Sequence, residues 1–432
     1  MKQNVLKIFI SFAFAVVSSL RAGDSTVSSP TGTDQMTPDA LVRQALQNNP
    51  ELNFYCAEIA AAKGTLKTAG TTRNPELNTQ AGYKNARDNS GGTSGEGGTF
   101  ALSANQTFEY PGRIALRKAV AKGDIQLAEL HLAQFRVTLA ARVRALVYGV
   151  FIAQEKLTTV RLVADRFEEL SNVLAQREPA GATPILEARI IETNGLTLRR
   201  QEREAALAAK TPLVQLNQLR GMAVTAPLKL TSARAVFTEP PPLVRLLDSA
   251  ASNAFEIRIR QAELAQQGFK VFLSKNERYP AVTVGPFYSY EKAADQEQQV
   301  GIGISVPLPL WDRNAGNIQT ARAREEQAQA SLFTAQREVE RRVAESAAML
   351  QAKREEIDKW QEDTLGKFRE SAESADRNYR LGSVPISIYV ETQKQYLEVV
   401  GSVLDMKREA LQAAQELEIL TGIKLYDAEQ RP

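Results

Sequence analysis

The sequence predicts a mainly α-helical protein with a small β part, built from two copies of one plan. Landmark residues recur at a nearly constant separation of about 200 residues. Two long stretches without proline carry apolar residues spaced three and four apart, and two shorter stretches alternate apolar with small polar residues. The 432 residues therefore form one duplicated unit, and 43% hydrophobic with 24% charged residues excludes a disordered or collagen-like chain.

The N-terminus has the features of a secretory signal. Two lysines precede the apolar run 8–17, and small residues follow it up to Ala22. Because the run is about half as long as a membrane-spanning helix, we expect residues 1–22 to be a cleaved signal peptide, with a retained anchor as the alternative. Cleavage after Ala22 removes three basic residues and no acidic one, which lowers the formal charge from +3 to zero. No electrostatic argument for binding nucleic acid remains.

The two copies share their landmarks in the same order. The first copy is expected over 23–221, a linker over 222–241 and the second copy over 242–432. The matched pairs are Pro75 with Pro280, Arg113 with Arg313, Gly181 with Gly382, Pro184 with Pro385, and Gly221 with Gly422.

Each copy begins with a helical pattern and continues into a β-hairpin. The helical patterns cover 37 to about 72 and 242 to about 278. The hairpins are expected at about 76–110 and about 280–309, where turn residues separate the alternating segments.

The alternating segments are typical of strands that cross a membrane. In the second copy, Val300, Ile302 and Ile304 alternate with glycine and serine over roughly 10 residues. A soluble sheet with one buried face gives the same pattern, so this alternative stays open. Lipid satisfies no free sheet edge, and the smallest membrane barrels have about eight strands. The chain supplies four, so membrane strands require two or more chains, without a choice between dimer, trimer and tetramer.

A long helix follows each hairpin, and a second helix returns from it. Proline is absent over 112–178 and over 312–381, so a helix of roughly 100 Å is expected in each copy. The return helices are expected over 184–220 and 385–421. Coiled-coil spacing predicts a packing seam along the first long helix. The seam consists of Ile125, Ala128, Leu132, Phe135, Leu139, Leu146, Gly149, Ala153, Leu157 and Val160.

Three local motifs accompany the double repeat. They are Glu-Tyr-Pro-Gly-Arg at 109–113, Ser-Val-Pro-Leu-Pro-Leu-Trp-Asp-Arg-Asn-Ala-Gly at 305–316, and Leu-Thr-Gly at 420–422. With them, the chain resembles the TolC-like outer-membrane efflux family over nearly all of its mature length. The proline-rich motif at 305–316 is similar in particular to outer-membrane components of heavy-metal (cobalt, zinc, cadmium or copper) efflux systems.

The resemblance implies a homotrimer with a transmembrane 12-stranded barrel, to which each chain gives four strands. It also implies a coiled-coil tunnel in the periplasm, which docks to an inner-membrane pump through a periplasmic adaptor. The expected location is the outer membrane of a Gram-negative bacterium, in contact with its lipid. The expected function is passive export of what the pump delivers, either heavy-metal cations or drugs and other small organic molecules.

The turns between the long and return helices correspond to the periplasmic tips of this family. The resemblance implies that tip residues face the adaptor, although ordinary helix punctuation also explains a Gly at the end of one helix and a Pro at the start of the next. The tip residues are Gly181, Thr183 and Pro184 in the first copy, and Arg380, Leu381, Gly382 and Ser383 in the second.

A gate at the closed end of the tunnel is also implied by the resemblance. Tyr379 matches a gating tyrosine of the family, and Glu391 matches one of its acidic positions. The neighbouring acidic position is Ile388, and Val384 stands where some members carry a gating Arg. In the first copy, Glu187 stands at the place equivalent to Ile388. Rings of carboxylates at Glu187 and Glu391 would select for cations if both face the lumen, and the alternative is a solvated outer helix surface.

The remaining candidate residues favour no catalytic or binding chemistry. Cys56 and His131 are the single Cys and the single His, too few for a disulfide or a zinc site. The Gly-rich segment 91–98 lacks the Lys of a phosphate-binding loop, and the mixed charges of 198–204 indicate a solvated helix face. We therefore expect no enzyme, no cofactor and no bound metal. A periplasmic coiled-coil adaptor or scaffold is the alternative to a duct, but an adaptor ordinarily has one long helical hairpin, whereas this plan occurs twice.

Overall fold

In the computed structural model, residues 36–430 are described except for 88, 90, 176–181, 232, 294 and 361. The expected signal peptide, residues 1–22, lies outside the described residues. The first copy contains α1 (Pro38–Asn48), α2 (Glu51–Ala69), β1 (Glu76–Arg87), β2 (Thr93–Phe108), α3 (Arg113–Ala175) and α4 (Ala182–Leu219). The linker contains β3 (Ala233–Phe237). The second copy contains α5 (Leu243–Asn253), α6 (Phe255–Glu277), β4 (Val282–Lys292), β5 (Gln296–Ser305), α7 (Ala315–Lys359), α8 (Glu362–Arg380), α9 (Ile386–Thr421) and β6 (Tyr426–Gln430).

The first helical pattern of each copy forms two helices, so the prediction of one helix over 37–72 and over 242–278 was wrong. Asn49 is extended, as expected for the residue before a proline, and its side-chain Nδ2 donates to the carbonyl of Leu219 at 2.9 Å. Asn253 donates in the same way to the carbonyl of Thr421 at 2.9 Å. Each asparagine satisfies a carbonyl at the end of a return helix. The apolar periodicity of the sequence continues through both breaks. The hydrogen bonds that accompany the breaks join residues remote in sequence, so the breaks leave no local signal.

The second long helix is also interrupted, which corrects the prediction of one helix over 312–381. Helix α3 runs without a break for 63 residues, whereas α7 ends at Lys359. Trp360 leaves the helical region at φ −88° and ψ 48°, and its N–H donates to the carbonyls of Glu356 and Ile357 in a tight last turn. The absence of proline permits a continuous helix but does not enforce one.

Four strands form one antiparallel sheet in the order β1-β2-β4-β5. Thr79 pairs with Leu102, Leu102 with Tyr288, and Tyr288 with Val300, so the same side-chain parity continues across the sheet. This register collects the large apolar residues of all four strands on one face, except Phe287, which lies on the opposite face beside Ser103. They are Leu77, Phe100, Leu102, Phe108, Val282, Val284, Tyr288, Val300, Ile302 and Ile304. The opposite face carries Asn78, Gln80, Ser103, Thr107, Thr283, Ser289 and Gln299.

A second, two-stranded sheet was missed in the sequence. Strand β3 of the linker pairs antiparallel with β6 near the end of the chain, from Ala233 opposite Gln430 to Phe237 opposite Tyr426. The linker is thereby tied to the C-terminal segment. Short strands that pair only over a long sequence separation carry little local signal.

The helices enclose three main apolar clusters among the described residues. One joins Tyr148, Val343 and Leu417 beside the small sheet, and another joins Leu41, Leu139 and Leu216. The third surrounds Phe167, Ile191 and Tyr389 near the second tip. Of the predicted seam, Ala128, Leu139 and Val160 are fully buried and the other members are half-buried.

No described helix combines the length and the apolar character that a membrane-spanning helix needs.

Candidate functional site

The second tip is a helix end closed by a glycine in the left-handed conformation. Gly382 has φ +75°, its N–H donates to the carbonyl of Tyr379 at 2.9 Å, and the N–H of Ser383 donates to the carbonyl of Asn378 at 2.8 Å. These two bonds define a Schellman motif. Pro385 follows as the N-cap residue of α9, so the expected Gly and Pro punctuation is present at this tip.

Arg380 forms ion pairs within the chain, so its charge is less available for the predicted contact with an adaptor. Its Nη2 donates to Oε2 of Glu169 at 3.0 Å, and its Nε donates to Oδ2 of Asp376 at 3.1 Å. Burial lowers the pKa of Arg380, but the hydrogen bond to Glu169 and the charge of Asp376 outweigh it and raise the pKa above its ordinary value. The guanidinium therefore fastens α8 to α3. Leu381 is 77% exposed and is the large apolar side chain at this tip.

An aromatic stack lies just inside the second tip. The ring of Tyr379 stacks on Tyr389 with centroids 5.1 Å apart, and Tyr389 contacts Phe167 at 5.1 Å. Tyr389 is fully buried, and burial, reinforced by the charge of Asp376, raises the pKa of its phenol. Tyr379 is thus part of a packed tyrosine pair rather than a lone gate residue.

Sequence reasoning missed Tyr389, although a signal was present. Ile386, Tyr389, Val390 and Gln393 follow the i, i+3, i+4, i+7 spacing of a buried helix face, and all four are buried. The buried Gln393 donates from Nε2 to the carbonyl of Ala372 at 2.6 Å. This face of α9 packs against α8 and holds the tip together.

The two predicted carboxylates lie near the tip ends of two different helices. Glu187 is half-buried in α4, and Glu391 is exposed in α9, where its Oε1 accepts a hydrogen bond from Nε2 of Gln395 at 3.0 Å. Ile388, at the departing acidic position, is 50% exposed. Both Glu391 and Ile388 lie on the face of α9 opposite its packed face, and are free to face a lumen or solvent.

The first tip is only partly described. Gly181 lies outside the described residues, and Thr183 and Pro184 lie in the first turn of α4. The structure therefore makes no statement about the side chains of this tip.

A groove of about 690 Å³ lies beyond the second tip, where α4 and α9 both flank α3. Its floor is apolar, with Val160, Val163 and Phe167, and its rim is charged. The rim residues include Lys156, Glu204, Lys394, Glu398 and Asp405. In the described part of the chain, no group of three or more His, Cys, Asp or Glu side chains is arranged to hold a metal ion.

Comparison with known proteins agrees with this architecture. The family model described as outer membrane efflux protein matches residues 41–222 and 246–423, one match in each copy. Cobalt-zinc-cadmium resistance protein CzcC of Cupriavidus metallidurans is 23% identical over 394 residues, which covers 90% of either chain. Pyoverdine export outer membrane protein OpmQ of Pseudomonas aeruginosa is 23% identical over 406 residues, covering 87% of this chain and 83% of that protein.

Among solved structures, a crystal structure of CusC superposes with a TM-score of 0.70 at 15% sequence identity. The superposition covers 89% of this chain and 91% of that one. The resemblance to TolC-like channels that the sequence motifs indicated is therefore confirmed, as is the mainly helical fold with its small antiparallel sheet. The chain belongs to the outer membrane efflux protein family.

Proposed function

We propose that this protein is the outer-membrane channel of a tripartite efflux system and passively conducts substrate delivered by an inner-membrane pump through a periplasmic adaptor. Three copies join their sheets into one 12-stranded barrel in the outer membrane of a Gram-negative bacterium. The long helices continue the barrel as a tunnel through the periplasm.

The observation that carries this proposal is the sorting of side chains on the four-stranded sheet. Val300 is 82% exposed and Ile302 is 73% exposed on the apolar face, a large surface that water disfavours and lipid accepts. The opposite face is mainly polar, with Phe287 as its large apolar residue, and suits a water-filled lumen. Strands β1 and β5 form the edges of the sheet within the chain, and lipid requires such edges to be paired. Pairing β5 of one copy with β1 of the next satisfies them.

The second tip is the proposed contact for the adaptor. Leu381 and Ser383 are exposed around Gly382, while the charge of Arg380 is already paired inside the chain. An apolar side chain on a rigid turn loses little conformational freedom when it docks against a helical partner. Thr183 and Pro184 of the first tip are proposed as the matching contact on the other side of each copy.

The proposed gate consists of Tyr379 with the carboxylates Glu187 and Glu391. In a trimer each Glu gives three negative charges at one level of the tunnel, which favours the passage of cations. The resistance named for CzcC supports heavy-metal cations as the cargo, and the export named for OpmQ supports a small organic molecule as the alternative.

Cell fractionation with a mass measurement tests the duct itself. We expect the mature protein in the outer-membrane fraction, extracted only by detergent, with the mass of three copies. A protein that is monomeric and soluble without detergent would rule out the duct and favour the scaffold alternative.

Gene deletion tests the cargo separately. We expect the deleted strain to become more sensitive to divalent cobalt, zinc or cadmium, and to recover when the gene is supplied on a plasmid. Unchanged metal tolerance together with sensitivity to organic drugs would exclude the metal cargo and leave the duct in place.

A further inference from the structure

Helix α6 of the second copy packs between two long helices, α3 and α7. Its buried residues include Ile259, Ala262 and Gln266. Ile259 and Ala262 form one cluster with Leu130 of α3. Gln266 lies beside Gly123 and donates from Nε2 to the carbonyl of Val120 at 3.1 Å. The contact between α3 and α6 therefore joins the first copy to the second.

Helix α2, the counterpart of α6 in the first copy, lacks the second contact. It packs against α3, and Leu52 is its fully buried residue. The spacing that relates Pro75 to Pro280 relates Phe54 to Ile259 and Ala61 to Gln266. Ile259 is 7% exposed, but Phe54 is 67% exposed. A large aromatic ring thus lies on a helix face that is covered in the other copy.

Helix α7 carries the complementary open face. The spacing that relates Arg113 to Arg313 relates Leu130 to Ala330 and Gly123 to Ala323. Leu130 is 8% exposed, whereas Ala330 and Ala323 are exposed. These alanines lie on the side of α7 that faces away from α6.

We propose that α2 of one protein chain packs against α7 of the neighbouring chain in the trimer. Phe54 of the first chain lies on Ala330 of its neighbour, and Ala61 lies beside Ala323. The register is that of Leu130 with Ile259 and Gly123 with Gln266 inside the chain. Side-chain volume supports the pairing, because a large Phe opposite a small Ala fills about the space that Leu and Ile fill together. The occupant of the open α2 face is therefore a second copy of this chain. This seam rests on the proposed trimer and specifies which residues close it.

The connection to the sheet repeats the same relation. Arg113 donates from Nη2 to the carbonyls of Asn276, at 3.1 Å, and Tyr279, at 2.7 Å, and so ties the start of α3 to the second copy. Arg313, its counterpart, is exposed and makes no hydrogen bond or ion pair to the described part of the chain. Asn74 corresponds to Tyr279. We place Arg313 of one protein chain against the backbone carbonyl of Asn74 in the neighbouring chain.

Cysteine cross-linking in membranes tests the seam. In a Cys56→Ser background, Phe54→Cys with Ala330→Cys should give dimers and trimers, which are reducible when formed by oxidation and resist reduction when formed with a short bismaleimide. Neither single variant should cross-link in this way. The matched control replaces Ala330→Cys by Ser331→Cys, which is exposed at the same height but turned by about 100° around α7, and should give little product. Leu130→Cys with Ile259→Cys should cross-link within one chain and leave the mass unchanged.

The outcomes separate this seam from the proposed function. If Phe54→Cys with Ala330→Cys stays monomeric after both treatments while the same protein has the mass of three copies in detergent, the seam is wrong and the trimer stands. A monomeric mass in detergent overturns both. Arg313→Ala tests the seam independently of the cysteine variants. We expect its trimer to dissociate at a lower detergent concentration or a lower temperature than the wild type. An unchanged dissociation point would contradict the Arg313 contact.

Discussion

Single residues near the second tip are divided between packing and open surface. Arg380 and Tyr389 are held by contacts inside the chain, whereas Glu391 and Leu381 lie on open surface. The proposed roles in conduction and docking therefore belong first to the open residues. The packed residues contribute to the stability of the tip.

Glu391→Gln tests the open carboxylate. Removing three charges from a trimeric pore should weaken its preference for cations, because a ring of carboxylates raises the local concentration of cations. Reversal potentials of single channels under a salt gradient measure this preference. Glu277→Gln, an exposed Glu on α6 close to the sheet, serves as the control and should change nothing. An unchanged reversal potential in Glu391→Gln would place that side chain outside the conducting path.

Tyr389→Phe tests the packed tyrosine through pH. Because burial raises the pKa of Tyr389 above its ordinary value near 10, the unfolded chain releases the phenolic proton first. The stability from this group is complete below about pH 10 and is lost as the pH rises further. At pH 7 we expect the free energy of unfolding of the variant to lie within about 1 kcal/mol of the wild type. Between pH 9 and 11 the variant should lose less stability than the wild type.

Thermal unfolding of the variant and the wild type at pH 9 and at pH 11 checks this expectation. Tyr110→Phe, at a ring that is 41% exposed, is the control and should retain the full alkaline loss. An alkaline loss in Tyr389→Phe as large as that of the wild type would show that the buried phenol does not titrate with unfolding.

At the level of elements, local signals in the sequence indicated the helices and the hairpins, and long-range contacts determined where helices break. Alternation of Val300, Ile302 and Ile304 with glycine and serine correctly predicted strand β5, because strand periodicity is a local property. The break after Asn49 is accompanied by a hydrogen bond to Leu219, which is remote in sequence. No proline or glycine lies at Trp360, so the sequence gives no local signal for the interruption of the helix there. The tip glycine was predictable because its conformation is a local requirement.

Two glycines, one inside α8 and one at the second tip, give opposite expectations. Gly382→Ala should destabilise the protein by about 1 kcal/mol, since Gly382 has φ +75° and a Cβ is disfavoured there even though the space is open. Gly366→Ala lies inside α8, also in open space, and should stabilise it by about 0.5–1 kcal/mol. Melting temperatures of the two variants measure the contrast. Equal shifts would contradict the left-handed conformation of the tip.

For the whole molecule, duplication explains both the packing and the open surfaces. The contact of α3 with α6 occurs inside the chain, and its repeat between α7 and α2 is left open. The sequence predicted the duplication and, if the hairpins cross a membrane, a barrel shared by several chains. Strand counting did not choose the number of chains. The side chains proposed to join neighbouring chains became visible only when the exposure of Phe54 was compared with that of Ile259.

The charge balance and the ligand inventory fit a conduit. Loss of residues 1–22 would leave no net charge, and Cys56 and His131 are the single residues of their kinds. Soft metals that pass through such a chain meet few strong ligands to retain them.

Conductance of the purified protein in a planar lipid bilayer tests the proposed duct most directly. We expect discrete single-channel steps that favour cations, from a preparation whose mass in detergent is that of three copies. A bilayer that stays electrically silent with a folded trimeric preparation in both orientations would contradict a conducting duct.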